Sequence, residues 1–446
     1  MQYLRAEKTA RVIVKSINIV CHNVYPLFDP SIAWGIGGME TRAALLARGL
    51  KASGRWHVRM VVNDFGQPDR VWHEGIEFDT YQPWHRRASD NVNPRFVRRK
   101  WFPALNLDRR DFPLIWQIPL LGIYRLLPSL LCPLYWRRRP ADIVCCFGNN
   151  GTSAQVIADC RRLGIPTALC IASDDDLSAD YRADDSSLND YGTPKWMAHY
   201  ALENADHIFV QTESQLRALA SRFDRSGELI RNPVDISADG PSHWPDRATR
   251  DTILWIGRSD TFHKQPLLLL ELAKRCPDLP FLMVMNRTHT DVFDAIEAQR
   301  PPNLTIVERV PHREIWNYYR RARVFVSTSA YEGFPNTFLQ CAVAGVPVAS
   351  LSVDPEGILS DLGCGLLAGG SLDRLEQHVR TLWTDAGRAE LQARSFHRFA
   401  LEHHGLTSQV ERFEALLKQA IDAPLRSPPL PWWRQPTRRF VRYGDI

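Results

Sequence analysis

The sequence predicts an α/β protein made of two open, mostly parallel sheets, and three observations lead there. Short apolar runs rich in β-branched residues alternate with stretches of helical period along most of the 446 residues. The alternation runs to about residue 235 and restarts at "DTILWIG", residues 251–257. Between the two series lies "RNPVDISADGPSHWPDRATR", a joint rich in Pro, Asp and Ser. Strands alternating with helices imply parallel pairing, because parallel neighbours need a crossover between them. Two such sheets joined near residue 240 imply a cleft between their carboxyl edges, where ligands of this architecture bind.

In the first half "RVIVKSINIV", "HVRMVVND", "ADIVCCFG", "IPTALCIAS" and "HIFVQT" read as strands, and "GMETRAALLARGLKASG", "GTSAQVIADCRRLG" and "SQLRALASRF" as helices. In the second half "DTILWIG", "LPFLMVM", "NLTIV", "VFVSTS" and "VPVASLS" read as strands. The expected division is an N-terminal domain over 1–240, a C-terminal domain over 241–408, and a last helix with a Pro-, Trp- and Arg-rich tail over 409–446.

Composition bounds the function. With 44% apolar and 24% charged residues the chain is that of a folded globular protein. A net charge of +5 is too small to imply a nucleic-acid partner. The nine cysteines form no CxxC pair, as expected in a reducing compartment. The first apolar run is interrupted by Lys15 and Asn18 and has no small-residue cleavage site, so it reads as a strand rather than a leader. No uninterrupted apolar run is long enough to span a bilayer. A cytoplasmic protein is expected.

Three loops carry candidate chemistry. In "WIGRSDTFHKQPLLLLELAKR" a strand ends, Arg258 and Lys264 follow, and Pro266 opens a helix. Two cations beside a helix N-terminus suit a diphosphate, although a solvated basic loop reads the same way. In "YEGFPNTFLQCAVAGVPVAS" Glu332 precedes a helix that Asn336 or Thr337 can cap. A carboxylate beside an anion site suits the hydroxyls of a sugar, a solvated loop acid before a capped core helix being the other reading. In "WGIGGMETRAALLARGL" Gly35, Gly37 and Gly38 allow close backbone approach ahead of Glu40, without the GxGxxG spacing.

Taken together, Glu332-Gly-Phe-Pro with Gln340 eight residues on, Arg258 with Lys264 six on, Gly37-Gly38-Met-Glu40 and Asn232-Pro-Val-Asp235 resemble glycosyltransferase family 4. The resemblance runs from about residue 11 to 420 and is more specific in the second half. It implies the GT-B fold, two Rossmann-like domains facing a central cleft, and retaining transfer of a hexose from a nucleoside-diphosphate sugar without a bound metal or other cofactor. It implies that Arg258 and Lys264 grip the diphosphate and that Glu332 holds sugar hydroxyls. Gly333 and the loop Phe334, Pro335, Asn336 and Thr337, through its amides, would line the sugar and phosphate, Gly37 and Gly38 would approach from the other domain, and Val310 would meet the base. Two departures stand out. The family's second glutamate, which holds the ribose, is Gln340 here, and Ser173-Asp174-Asp175-Asp176 occupies the place of a frequent histidine. Asp174 is then the candidate acceptor-side base, while an Asp-x-Asp metal site and a solvated acidic turn are the competing readings. A sugar-nucleotide epimerase and a non-catalytic nucleotide-sugar binder remain as alternative functions.

One segment needs its own account. Residues 95–139 hold ten basic residues against two acidic ones, and from Phe112 to Trp136 only Arg125 is charged. Four prolines in that stretch preclude one long helix. Arginine clusters flanking Trp116, Tyr124, Tyr135 and Trp136 suit either a peripheral membrane contact, with a glycan or lipid-linked acceptor, or a hairpin packed on the N-terminal sheet.

Overall fold

The computed structural model describes residues 14–32, 35–81, 96–98, 103–105, 119, 133–235, 243–311 and 314–426. Most of the 95–139 insert, much of the joint and the tail beyond residue 426 lie outside them. The N-terminal domain runs β1 (Lys15–Val20), α1 (Gly38–Ala52), β2 (Trp56–Val62), β3 (Arg70–His73), β4 (Ile76–Thr80), β5 (Phe96–Arg98), β6 (Pro103–Leu105), α2 (Pro133–Arg137) and β7 (Ile143–Phe147). It continues through α3 (Gly151–Leu163), β8 (Thr167–Cys170), α4 (Lys195–Asn204), β9 (His207–Val210), α5 (Glu213–Phe223) and β10 (Glu228–Leu229). Its main sheet has the order β10-β9-β8-β7-β1-β2-β4-β3, parallel except for the β3–β4 pair.

The C-terminal domain begins with β11 (Thr252–Arg258), α6 (Pro266–Arg275), β12 (Phe281–Asn286), α7 (Thr290–Ala298), β13 (Leu304–Val307) and α8 (Ile315–Arg321). Then come β14 (Ala322–Ser327), α9 (Asn336–Ala344), β15 (Val348–Ser350), β16 (Gly365–Leu367), α10 (Leu372–Thr384), α11 (Ala386–His404) and α12 (Leu406–Asp422). Its sheet, β13-β12-β11-β14-β15-β16, is wholly parallel. Strands buried on both faces explain the near-continuous apolar runs of the sequence. The fold is a pair of Rossmann-like domains of the GT-B type.

In each sheet the chain moves outward to one side and then returns to the other. The reversal falls between β1 and β7 in the first sheet, and between β11 and β14 in the second. Such switch points leave a crevice at the carboxyl ends of the strands. Arg258 ends β11, and the loop with Glu332 follows β14, so the second crevice receives both.

The last helix does not stand apart with the tail, as the 409–446 division expects. Val410, Phe413, Leu417 and Ala420 of α12 enter the core of the N-terminal domain beside Ala43, Ala47 and Leu50 of α1. Gly49 permits the approach: a Cβ there would lie 2.3 Å from Val410 Cγ2. The chain therefore crosses between domains twice, and the crossings are tied. Val234 N donates to His404 O (2.8 Å) and Leu406 N to Val234 O (3.1 Å).

The end of the insert is packed rather than presented. Trp136 is fully buried and Tyr135 nearly so, in the cluster around Val156, Ile157 and Tyr81. Arg139 pairs with buried Asp79 and covers the Tyr135 ring at 4.0 Å. These three residues are thus not available to a lipid surface, whereas Arg137 and Arg138 are exposed. Among the described residues no helix is long and apolar enough to cross a membrane.

Trp136→Ala should therefore destabilise the N-terminal domain by about 3–5 kcal/mol, as large-to-small changes at packed aromatic sites do. Urea unfolding followed by circular dichroism checks this. A membrane-anchoring tryptophan would leave the stability of the free protein unchanged.

Candidate active site

The loop leaving β11 is built by Asp260, which is 1% exposed. Its Oδ1 accepts from the amides of His263 (2.9 Å) and Lys264 (2.7 Å), and its Oδ2 lies 3.1 Å from Arg258 Nε. One carboxylate thereby folds the loop and orients the guanidinium. Gln265 adopts a left-handed conformation (φ 50°), after which Pro266 starts α6. Lys264 is further held through its carbonyl, which accepts from Thr328 Oγ1 (2.8 Å).

Across the crevice Lys264 Nζ binds Glu332 Oε1, and His263 Nε2 is 3.3 Å from the same oxygen. Burial alone would raise the Glu332 carboxyl. Lys264, with His263 beside it, outweighs burial and holds it well below the usual carboxylate range. Glu332 is thus an anion at any ordinary pH, and an anion accepts hydrogen bonds from hydroxyls without donating any.

The glycine loop of the N-terminal domain meets this wall. A Cβ on Gly35 would lie 3.1 Å from Asn286 Nδ2, and one on Gly38 3.2 Å from Asn336 Nδ2. Gly37 starts α1 with its amide donating to Glu40 Oε2 (3.0 Å). Burial raises the Glu40 carboxyl, while its backbone hydrogen bonds and, more weakly, Arg258 across the cleft oppose the shift.

Two expectations need correction. Neither Asn336 nor Thr337 caps α9, whose N-cap residue is Pro335 with no side-chain cap. Asn336 instead donates to Gly38 O (2.8 Å) and accepts from Asn232 Nδ2 (3.0 Å), so its side chain joins the domains. The Phe334 amide is not open to a ligand, because it donates to Gln211 Oε1 (2.9 Å), and the Phe334 carbonyl accepts from Asn232 Nδ2 (2.8 Å). Gln340 Oε1 accepts from Tyr319 Oη (2.7 Å), which occupies one of the two lone pairs of its carbonyl. Val310 packs against the core of the C-terminal domain where β13 ends.

The acidic run gives three carboxylates three different partners. Asp174 Oδ1 accepts from Gln215 Nε2 (2.9 Å), Asp175 Oδ2 from Tyr181 Oη (3.4 Å), and Asp176 Oδ2 from the Ala172 amide (2.6 Å). Among the described residues no group of three or more His, Cys, Asp or Glu side chains is disposed to hold a metal. Burial raises the Asp174 carboxyl to about 6; Gln215 opposes the shift and Glu332 adds to it. Beside Asp174 and Glu332 opens a cavity of about 760 Å³, walled by Glu213 and Arg217 on one domain and Asp354 and Glu356 on the other. Glu356 also clasps the domains, accepting from the Glu213 amide (2.9 Å) and from Arg231.

Sequence reasoning missed His263, Tyr191, Gln211 and Gln215. His263 stands beside Lys264 in the sequence, which was the available signal. Tyr191 comes from the other domain, with its hydroxyl 3.2 Å from His263 Nδ1 and 3.5 Å from Tyr331 Oη.

Comparison with known proteins agrees with this fold. The glycosyl transferase 4-like domain family matches residues 37–233, and the glycosyl transferases group 1 family matches residues 250–385. The fold is similar to that of sucrose-phosphate synthase from Thermosynechococcus elongatus, with a TM-score of 0.67 at 17% identity over 92% of this chain and 100% of that one. It is also similar to S. aureus TarM, solved with fondaparinux, α-GlcNAc-glycerol and UDP (TM-score 0.65, 13% identity, 92% of this chain and 100% of that one). Anabaena HepE, solved with UDP and glucose, gives a TM-score of 0.60 at 13% identity over 90% of this chain and 99% of that one. Among curated proteins no sequence relative matches. Two glycosyltransferase domains in GT-B order, with cations and a carboxylate at the switch point of the second, define a glycosyltransferase. The chain is a glycosyltransferase of the GT-B fold, built from a glycosyl transferase 4-like domain followed by a glycosyl transferases group 1 domain.

If Arg258 and Lys264 hold a diphosphate, Arg258→Ala and Lys264→Ala should each weaken nucleoside diphosphate binding about ten- to a hundred-fold, the value of a charge-assisted hydrogen bond. Titration calorimetry on variants with unchanged circular dichroism measures it. Unchanged affinity in both would remove the anion site.

Proposed function

We propose that this enzyme moves a hexose from a nucleoside-diphosphate sugar to a glycan or lipid-linked acceptor, with retention of configuration. The observation that supports it most directly is the half-buried Lys264–Glu332 pair at the switch point beside Arg258. It sets cations for a diphosphate next to a permanently ionised acceptor of sugar hydroxyls. TarM and HepE, similar in fold, were each solved with UDP and a sugar, which fits a donor of this class. WaaB, a lipopolysaccharide outer core galactosyltransferase, shares the fold at a TM-score of 0.55 and 15% identity over 91% of this chain and 99% of that one.

On this reading Arg258 and Lys264 neutralise the diphosphate as the glycosidic bond breaks, and that electrostatic stabilisation is the main contribution of the protein. Gly38, whose missing Cβ leaves room beside Asn336, admits the phosphates from the other domain. Asp174 accepts or orients the acceptor hydroxyl. Two cations do the work that a divalent ion does elsewhere, so no metal takes part. The exposed Arg137 and Arg138 suit an acceptor presented at an anionic surface, with the enzyme at the cytoplasmic face.

A thermal-shift panel of nucleoside diphosphates and their sugars identifies the donor, because a ligand of the folded state raises the melting temperature. Turnover of that donor with a cell-derived acceptor pool should then survive thorough chelation. Loss of transfer with EDTA and rescue by magnesium or manganese would overturn the metal-free mechanism, and turnover without any acceptor would favour an epimerase or hydrolase. The Asp174 role has its own signature. A base must be deprotonated to accept, so kcat should rise with pH through about 6, where burial places this carboxyl. Asp174→Asn should lower kcat about 100-fold or more and abolish that limb of the profile.

A further inference from the structure

His263 is 7% exposed and is held from both ends. Its amide donates to Asp260 Oδ1, and its carbonyl accepts from the Ala330 amide (2.8 Å). The imidazole lies parallel to the Tyr331 ring, with centroids 4.8 Å apart and planes within 8°. Nδ1 is 3.1 Å from Arg258 Nη2 and 3.2 Å from Tyr191 Oη. A guanidinium has only N–H donors, so Nδ1 must be the acceptor in that contact. The ring proton then resides on Nε2, the atom 3.3 Å from Glu332 Oε1. Chemistry alone thus selects the tautomer, and the selected tautomer places its N–H beside the carboxylate, 3.3 Å from Oε1 without yet being aligned on it.

Lys264 is engaged by Glu332 in the same place. When a diphosphate arrives, the ammonium must turn towards it, and a buried carboxylate that loses its cation is costly unless another donor remains. We infer that His263 is a positioning residue for Glu332: locked as the Nε2–H tautomer by Arg258 and Tyr191, it keeps the carboxylate aimed at the donor sugar when Lys264 turns to the phosphates. The inference rests on the sugar-transfer reading above. It joins the phosphate end of the site, through Arg258, to the sugar end, through Glu332, and Tyr191 brings the N-terminal domain into the same contact.

His263→Phe keeps a flat ring for Tyr331 and removes both nitrogens. With the nucleotide sugar that the wild type turns over, kcat should fall about 100-fold, the cost of a misplaced group. Affinity for uridine, guanosine and adenosine diphosphates, which lack the sugar, should keep its wild-type value, and His263→Gln should restore part of kcat. An unchanged kcat overturns the inference, and so does a parallel loss of kcat and diphosphate affinity. Nitrogen-15 NMR of the imidazole in the unliganded wild-type protein decides the tautomer without any turnover. A protonated Nε2 and bare Nδ1 are expected, and a proton on Nδ1 overturns the inference. If the wild type turned over no nucleotide sugar, the functional reading would fall, while the tautomer would still show whether Glu332 is held as described.

Discussion

A carboxylate shielded this far from water needs a cation beside it, and the Lys264–Glu332 pair is the answer around which the site is arranged. Moving an isolated carboxylate out of water costs several kcal/mol even after relaxation, so its partner must be placed accurately. The sheet does this through strand order. β11 and β14 are neighbours in space although α6, β12, α7, β13 and α8 separate them in sequence. Their carboxyl ends therefore bring two distant loops together, and Asp260 stiffens one of them from inside with two backbone hydrogen bonds and one contact to Arg258.

Between the domains the bonding changes character. Asn336, Asn232 and Gln211 link the glycine loop, the joint and the Phe334 loop through uncharged amides. Each such hydrogen bond contributes only about 1 kcal/mol net, since water replaces it readily. A network of this kind holds two surfaces in register and yet lets them part. The Glu356 clasp, with its contacts to Arg231 and the Glu213 amide, adds a charged contact at the far side of the cavity.

Most of the parallel strands were legible because burial on both faces leaves no place for charge. The antiparallel pair was not. β4 reads Ile-Glu-Phe-Asp-Thr, yet Glu77 and Asp79 are buried, satisfied by Arg59, Arg70 and Arg139 from elsewhere in the chain. A buried charge looks like a surface one until its partner is known. The turn before it did carry a local sign: Glu74 and Gly75 both take positive φ, as a two-residue hairpin requires. In the site, Arg258, Lys264 and Glu332 were legible from their spacing around strand ends. The interior use of Asn336 and the reach of Tyr191 were not, because each depends on what the opposite domain presents. The aromatic end of the insert misled for a related reason: Trp136 has an apolar partner surface in its own domain, which composition cannot reveal.

The tied crossings at Val234 and Gly405 have a consequence for how such a protein is assembled and altered. The C-terminal domain is an insertion into a host that resumes at Leu406 and completes itself with α12. A cut near residue 240 would strand the host without the helix that covers Ala43, Ala47 and Leu50. Excision between the two crossings leaves ends already hydrogen-bonded side by side, so the whole inserted unit can be exchanged for another without rebuilding either core. The C-terminal domain can thus diverge by replacement of a single continuous block while the host half stays as it is.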